Sequence, residues 1–103
     1  MAIQALPIKS NTVITGNGAN SRLNITASTV VKAVAGRVAK VTVVTAGTGE
    51  GTINDAATVG AAAVANQVFE IPTIVGTYSV DFPVSNGIVV VPGPGQVLAV
   101  SYS

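Results

Sequence analysis

The residues that could do chemistry in this chain are few. Its only acids are Glu50, Asp55, Glu70 and Asp81, and it has no histidine and no cysteine. That removes the side chain that titrates near neutral pH, the thiol nucleophile and the soft metal ligands. Two carboxylates can share acid and base work on a glycosidic bond, and clustered oxygens can hold calcium. Either task needs the acids together, yet they lie far apart in sequence, and Glu50 and Asp55, the nearest two, do not sit in a ligand-spaced loop. They read as solvated turn residues, with Asn54 or Asp55 capping the turn. Gly47-Thr48-Gly49-Glu50-Gly51 is glycine-rich, but it lacks the lysine of a phosphate loop and its glutamate repels phosphate. Asn24-Ile25-Thr26 matches the glycosylation sequon and falls inside a predicted strand, where it reads as accidental. The expectation is no catalytic residue, no cofactor and no metal.

The elements that would position these groups read as strands. Hydrophobic residues make up 49% of the 103, but aromatics only 4%, so the apolar content is mostly Val, Ala and Ile. Val and Ile, with abundant Thr, suit a pleated surface and lose rotamer freedom in a helix. Leu23, Ile25 and Ala27 alternate with Asn24, Thr26 and Ser28, which predicts a strand running on toward Val34. A second spans 37–45, with Ala39, Val41 and Val43 opposite Lys40 and Thr42. Residues 52–54 form a short strand, and 55–66 a loop, because Gly60 and its β-branched neighbours oppose a helix. Another strand covers 68–71 and ends at Pro72. Tyr78, Val80, Phe82 and Val84 give the clearest alternation, and Pro83 assigns that stretch to an edge or a bulge. Ser85-Asn86-Gly87 predicts a hairpin into 88–91, and Pro92-Gly93-Pro94-Gly95 a turn into 96–102. The C-terminal third is then a three-stranded meander. The fold expected is all-β: an N-terminal arm, residues 1–20, and one antiparallel β-sandwich or jelly-roll-like barrel, residues 21–103.

Charge narrows the partners. Only 9% of residues are charged and the formal net charge is +1, which gives little protection against self-association. Either a surface of Thr, Ser, Asn and Gly keeps the chain in solution, or an assembly covers it. Five scattered cations cannot neutralise many phosphates, so nucleic acid is not an expected partner. No apolar run approaches a membrane helix and no signal-peptide pattern opens the chain, so neither a membrane nor export is expected. The lack of cysteine fits a reducing cytoplasm. In the arm, Pro7, Asn11, Gly16, Asn17, Gly18 and Asn20 interrupt every apolar pair. The arm reads as a disordered or edge-strand terminus, or as a segment that docks on a neighbouring subunit. On the second reading the contact candidates are Ile3, Leu6, Ile8, Lys9, Val13, Ile14 and Arg22. All the cations (Lys9, Arg22, Lys32, Arg37 and Lys40) precede residue 41, and all the acids follow residue 49. If the halves occupy different sides, the molecule is a dipole that favours head-to-tail or lateral contacts between copies. If the strands interleave, the charges pair across the sheets instead.

The stretch from Arg37 to Tyr102 carries an ordering of turns and strand edges. It runs from Gly36-Arg37 through Thr45-Ala46-Gly47, Thr52-Ile53-Asn54-Asp55, Asn66-Gln67 and Glu70-Ile71-Pro72. It continues with Gly76, Phe82-Pro83, Asn86-Gly87-Ile88 and Val100-Ser101-Tyr102. This ordering resembles small virion proteins of tailed bacteriophages that decorate or cement the head. The resemblance implies a non-enzymatic structural protein, made in the host cytoplasm and carried on the capsid surface of the virion. Its implied partners are the major capsid protein and further copies of itself, as a dimer or trimer. A phage tail or head-fibre component is the alternative. A carbohydrate-binding β-module is weaker, since the chain has no tryptophan and only two tyrosines to stack on sugar rings.

Overall fold

The structure, a computed structural model, describes residues 18–103. Eight strands build it: β1 (Asn20–Ile25), β2 (Thr29–Lys32), β3 (Gly36–Thr45), β4 (Gly51–Asn54), β5 (Gln67–Ile71), β6 (Gly76–Val84), β7 (Ile88–Val91) and β8 (Val97–Tyr102). They form two four-stranded antiparallel sheets, ordered β1-β8-β3-β6 and β2-β7-β4-β5. That order is the jelly roll, two Greek keys folded face to face into a sandwich. Between the sheets lie Ile25, Val38, Val41, Val43, Ile53, Ile71, Val84, Ile88, Val90, Leu98 and Val100, with Tyr78, Val80, Phe69 and Tyr102 packed at the margins. The fully buried side chains of this core are aliphatic, each worth about 1.5–3 kcal/mol when taken out of water.

Only β4 and β5 follow one another within a sheet; every other connection crosses to the opposite sheet. The predicted C-terminal meander is therefore corrected. β7 lies between β2 and β4, and β8 between β1 and β3, so β6, β7 and β8 are not neighbours. Ser85-Asn86-Gly87 does reverse the chain, but a side chain from the other sheet captures its backbone. The Asp55 carboxylate accepts the N–H groups of Ser85 (3.0 Å), Asn86 (2.8 Å) and Gly87 (3.3 Å). Gly87 packs so closely that a Cβ there would stand 2.5 Å from the carbonyl oxygens of Ala56 and Lys32. At the opposite end of the sandwich the buried Gln96 has the same task. Its Oε1 accepts the Gly93 N–H (3.0 Å) and its Nε2 donates to the Pro72 carbonyl (2.9 Å), tying two crossings together.

Three bulges shift the alternation read from the sequence. The first strand stops at Ile25 rather than running toward Val34, and its register slips between Arg22 and Ile25, with Asn24 at φ +55°. The extra residue throws Leu23 outward, 67% exposed, while Ile25 enters the core. In β3 the register slips between Val38 and Lys40. Val38 therefore joins Val41 and Val43 in the core, and Ala39 loses its expected place there, only half-buried beside Lys40. β6 carries a bulge with Asp81 at φ +48°, and Phe82, in register with the buried Val38, stays 47% exposed at the open edge. β6 is the edge strand beside β3, so Pro83 sits at an edge as its missing N–H requires.

Asp55 makes this corner testable. Its carboxyl is held below the usual aspartate range, chiefly by the Ser85 N–H, with those of Asn86 and Gly87 adding to the effect against the desolvation that opposes it. A depressed folded-state value means stability that is present above the unfolded value and lost as pH falls through the folded one. Asp55→Ala should cost about 1–3 kcal/mol at neutral pH. Denaturant titrations from neutral to acid should show the wild type losing that increment below about pH 4, and the variant lacking that part of the loss.

Candidate interaction surface

The fold disperses the charged groups into separate tasks. Asp55 is committed to the β6–β7 crossing. Asp81 pairs with Arg37, whose Nε donates to Oδ1 at 2.9 Å while Nη2 reaches the Asp81 carbonyl at 3.2 Å. Glu50 and Glu70, distant in sequence, are brought together by the β4–β5 ladder, which pairs Thr52 with Glu70. Hydrogen bonding to the Glu70 side chain, and then its charge, raises Glu50 above the usual glutamate range. Among the described residues no three His, Cys, Asp or Glu side chains gather where a metal could bind. The carboxylate pair can share a proton, and it is open to water.

A depression of ≈ 440 Å³ lies on the outer face of the β1-β8-β3-β6 sheet. Gly18, Ala39, Lys40, Ser79, Asp81 and Ser101 line it. These are small or singly charged side chains, a shallow polar surface without a convergent set of donors.

The exposed apolar groups are more distinctive. The 55–66 loop displays Val64, 87% exposed, and Val59, with Ala61, Ala63 and Ala65 also at the surface. Its backbone is held from beneath by a closed amide network. Asn54, buried, donates from Nδ2 to the Ala63 carbonyl (2.8 Å) and to Asn66 Oδ1 (3.0 Å), and its own Oδ1 accepts from Thr52 Oγ1 (2.8 Å). Asn66 accepts the Ala63 N–H (3.0 Å) and donates to the Ala61 carbonyl (2.8 Å). The Asp55 N–H closes the loop on the Asn66 carbonyl (2.8 Å). Two 3₁₀ turns, Val59–Ala61 and Val64–Asn66, complete it. A fixed apolar tip loses little entropy when a partner covers it.

A second apolar group lies at the other end of the sandwich. Val43 pairs with Gly76, which sets Val44 beside Val75, and Ile74 follows in the same crossing. All three are exposed, Ile74 at 71%. Tyr78 Oη donates to the Ile74 carbonyl (2.7 Å) and fixes that turn. The two ends are opposite because β4 and β5 open into the 55–66 loop at one end, while the 72–75 crossing leaves β5 at the other.

Of the contact residues expected from sequence, Arg22 is exposed on β1. Ile3, Leu6, Ile8, Lys9, Val13 and Ile14 lie outside the described residues, as does the arm up to residue 17. From sequence the 55–66 loop is only a connection. Its signal was present in Gly60-Ala61-Ala62-Ala63-Val64-Ala65, a run with no polar side chain and no strand partner. Comparison of the chain with protein-family models, with curated proteins and with solved structures gives no match in any of the three.

The carboxylate pair supplies a further measurement. A raised folded-state value means that the native protein holds that proton more tightly than the unfolded chain. The corresponding stability is present at low pH and lost as pH rises through the raised value. Carboxyl NMR titration should find Glu50 above the ordinary glutamate range of about 4.3, and Glu70→Gln should bring it back down. The same variant should gain stability relative to wild type only above that titration.

Proposed function

We propose that this chain is a non-enzymatic structural subunit of a bacteriophage virion, binding the outer capsid surface and reinforcing contacts between capsomers. The observation that carries this reading is the display of exposed apolar side chains at both ends of a rigid sandwich. Val59 and Val64 occupy one end, and Val44, Ile74 and Val75 the other. A subunit that bridges two neighbours needs two adhesive ends, whereas an enzyme needs one concave site with convergent polar groups. Covering such side chains gains roughly 25 cal/mol per Å² of apolar surface, offset by the cost of association. The jelly-roll order is shared with viral capsid and lectin domains, which supports the reading by analogy of fold alone. The major capsid protein is the partner on this reading, and the virion surface the location.

A head- or tail-fibre component is the second reading. The same observation favours it, because sandwiches with two apolar ends can stack into an extended array.

Purified protein mixed with purified expanded capsids should co-sediment with them and raise the temperature or force at which they rupture. Val64→Asp and Ile74→Asp, at the two ends, should each weaken capsid binding by about tenfold or more, with circular dichroism unchanged. No co-sedimentation and no change in rupture would refute the capsid reading. Elongated particles in sedimentation without capsid binding would favour the fibre.

A further inference from the structure

The segregation of charge along the chain survives in part in space. Residues 26–28 alone link β1 to β2, and residues 72–75 alone link β5 to β6. So few residues span little more than the ~10 Å between packed sheets. One lateral edge of the sandwich is therefore β1 with β2, and the opposite edge β5 with β6. Arg22 stands on β1 and the half-buried Lys32 on β2, while Glu70 stands on β5 and Glu50 directly precedes Gly51, which pairs with Ile71 of β5. Among the described residues a single ion pair, Arg37 with Asp81, joins the cationic half of the chain to the acidic half. Arg37 and Lys40 stand on β3, paired with β6, so the interleaving compensates the β6 margin and leaves Arg22 and Lys32 at one edge and Glu70 of β5 at the other.

The edges also differ in how they are finished. β1 is exposed at every position but Ile25, and Leu23 lies open beside Arg22. Arg22 pairs in register with the buried Val100, which puts it on the core-facing side of its sheet, yet at the open margin of the sandwich. A charge so placed hinders indiscriminate strand pairing and selects a partner of opposite sign. On the other edge β6 is blunted by Pro83 and by the bulge at Asp81. β5, Gln67–Ile71, has neither a proline nor a positive φ, and its one register slip against β4 lies at its start, between Gln67 and Phe69.

We infer that copies of this chain associate head to tail, the β1–β2 edge of one copy against the β5 edge of the next, with Arg22 and Lys32 meeting Glu50 and Glu70. Leu23 is covered in the contact, and the repulsion between the two glutamates is relieved by the arriving cations. Because the two surfaces differ, the contact is heterologous and builds a ring or an open chain rather than a two-fold dimer. The inference stands on charge and edge geometry, not on the capsid reading, and its test uses no capsids.

Sedimentation velocity of the wild-type chain at low salt should show concentration-dependent association that weakens about tenfold or more at high salt, where the screening length falls to a few ångströms. Arg22→Glu and Glu70→Lys, both at exposed positions, should each weaken it about tenfold. An equimolar mixture of the two should regain it, since the untouched β1–β2 edge of one variant fits the untouched β5 edge of the other. A wild type that stays monomeric at millimolar concentration, or a mixture that fails to recover, overturns the inference. So does disruption by Arg22→Glu alone, which marks a symmetric β1–β1 contact. If either variant melts early, Arg22→Gln and Glu70→Gln replace the pair, and association at wild-type strength by both overturns the inference equally.

Discussion

The structure depends on moving the chain between two sheets in very few residues. All connections but one make this crossing, each within three to five residues. The apolar core supplies the drive but cannot direct the crossings, since aliphatic packing is non-directional. Direction comes from polar side chains at the corners. The Asp55 carboxylate turns three N–H groups toward β4, and the buried Gln96 amide bridges the 92–96 and 72–75 crossings. Glycine permits the closest approach. At Gly93 a Cβ would fall 1.9 Å from the Gly49 carbonyl oxygen, so no other residue fits that corner without moving the backbone.

Much of this is legible from the residues, because period-two alternation is a local property. β3, β5, β6 and β8 stand close to where alternation put them, and Pro83 marks an edge as expected. What alternation does not carry is the choice of partner. Ser85-Asn86-Gly87 has the composition of a hairpin turn, and only a carboxylate some thirty positions upstream decides that it is a crossing. The bulges at Asn24 and Asp81 hide for a related reason. Asn and Asp tolerate the left-handed region, but that tolerance does not say which of them will use it. The Glu50–Glu70 pair needed the β4–β5 register before it existed at all. The alanine-rich loop was obscured by its composition, since hydropathy cannot tell an apolar run that enters a core from one held outside it by Asn54 and Asn66.

The surface divides its work by direction. Along the length of the sandwich, both ends carry aliphatic groups on braced loops. Across its width, Arg22 and Lys32 stand at one margin and Glu70 at the other, where Arg37 also pairs with Asp81. On the proposed readings these are two independent sets of contacts, one grasping a different protein and one aligning copies side by side.

The position of β8 has a consequence for biosynthesis. It is the last of the eight strands in chain order, yet it is inserted between β1 and β3, and Ser103 exchanges backbone hydrogen bonds with Arg37 at 2.9 Å in both directions. Leu98 and Val100 arrive with it in the middle of the core. A nascent chain that has not yet reached β8 therefore holds two strands separated by a strand-wide gap, with facing edges unpaired and the aliphatic interior open. The sandwich core is complete only once β8 has been translated, and until then the facing edges of β1 and β3 are open to pairing with other chains.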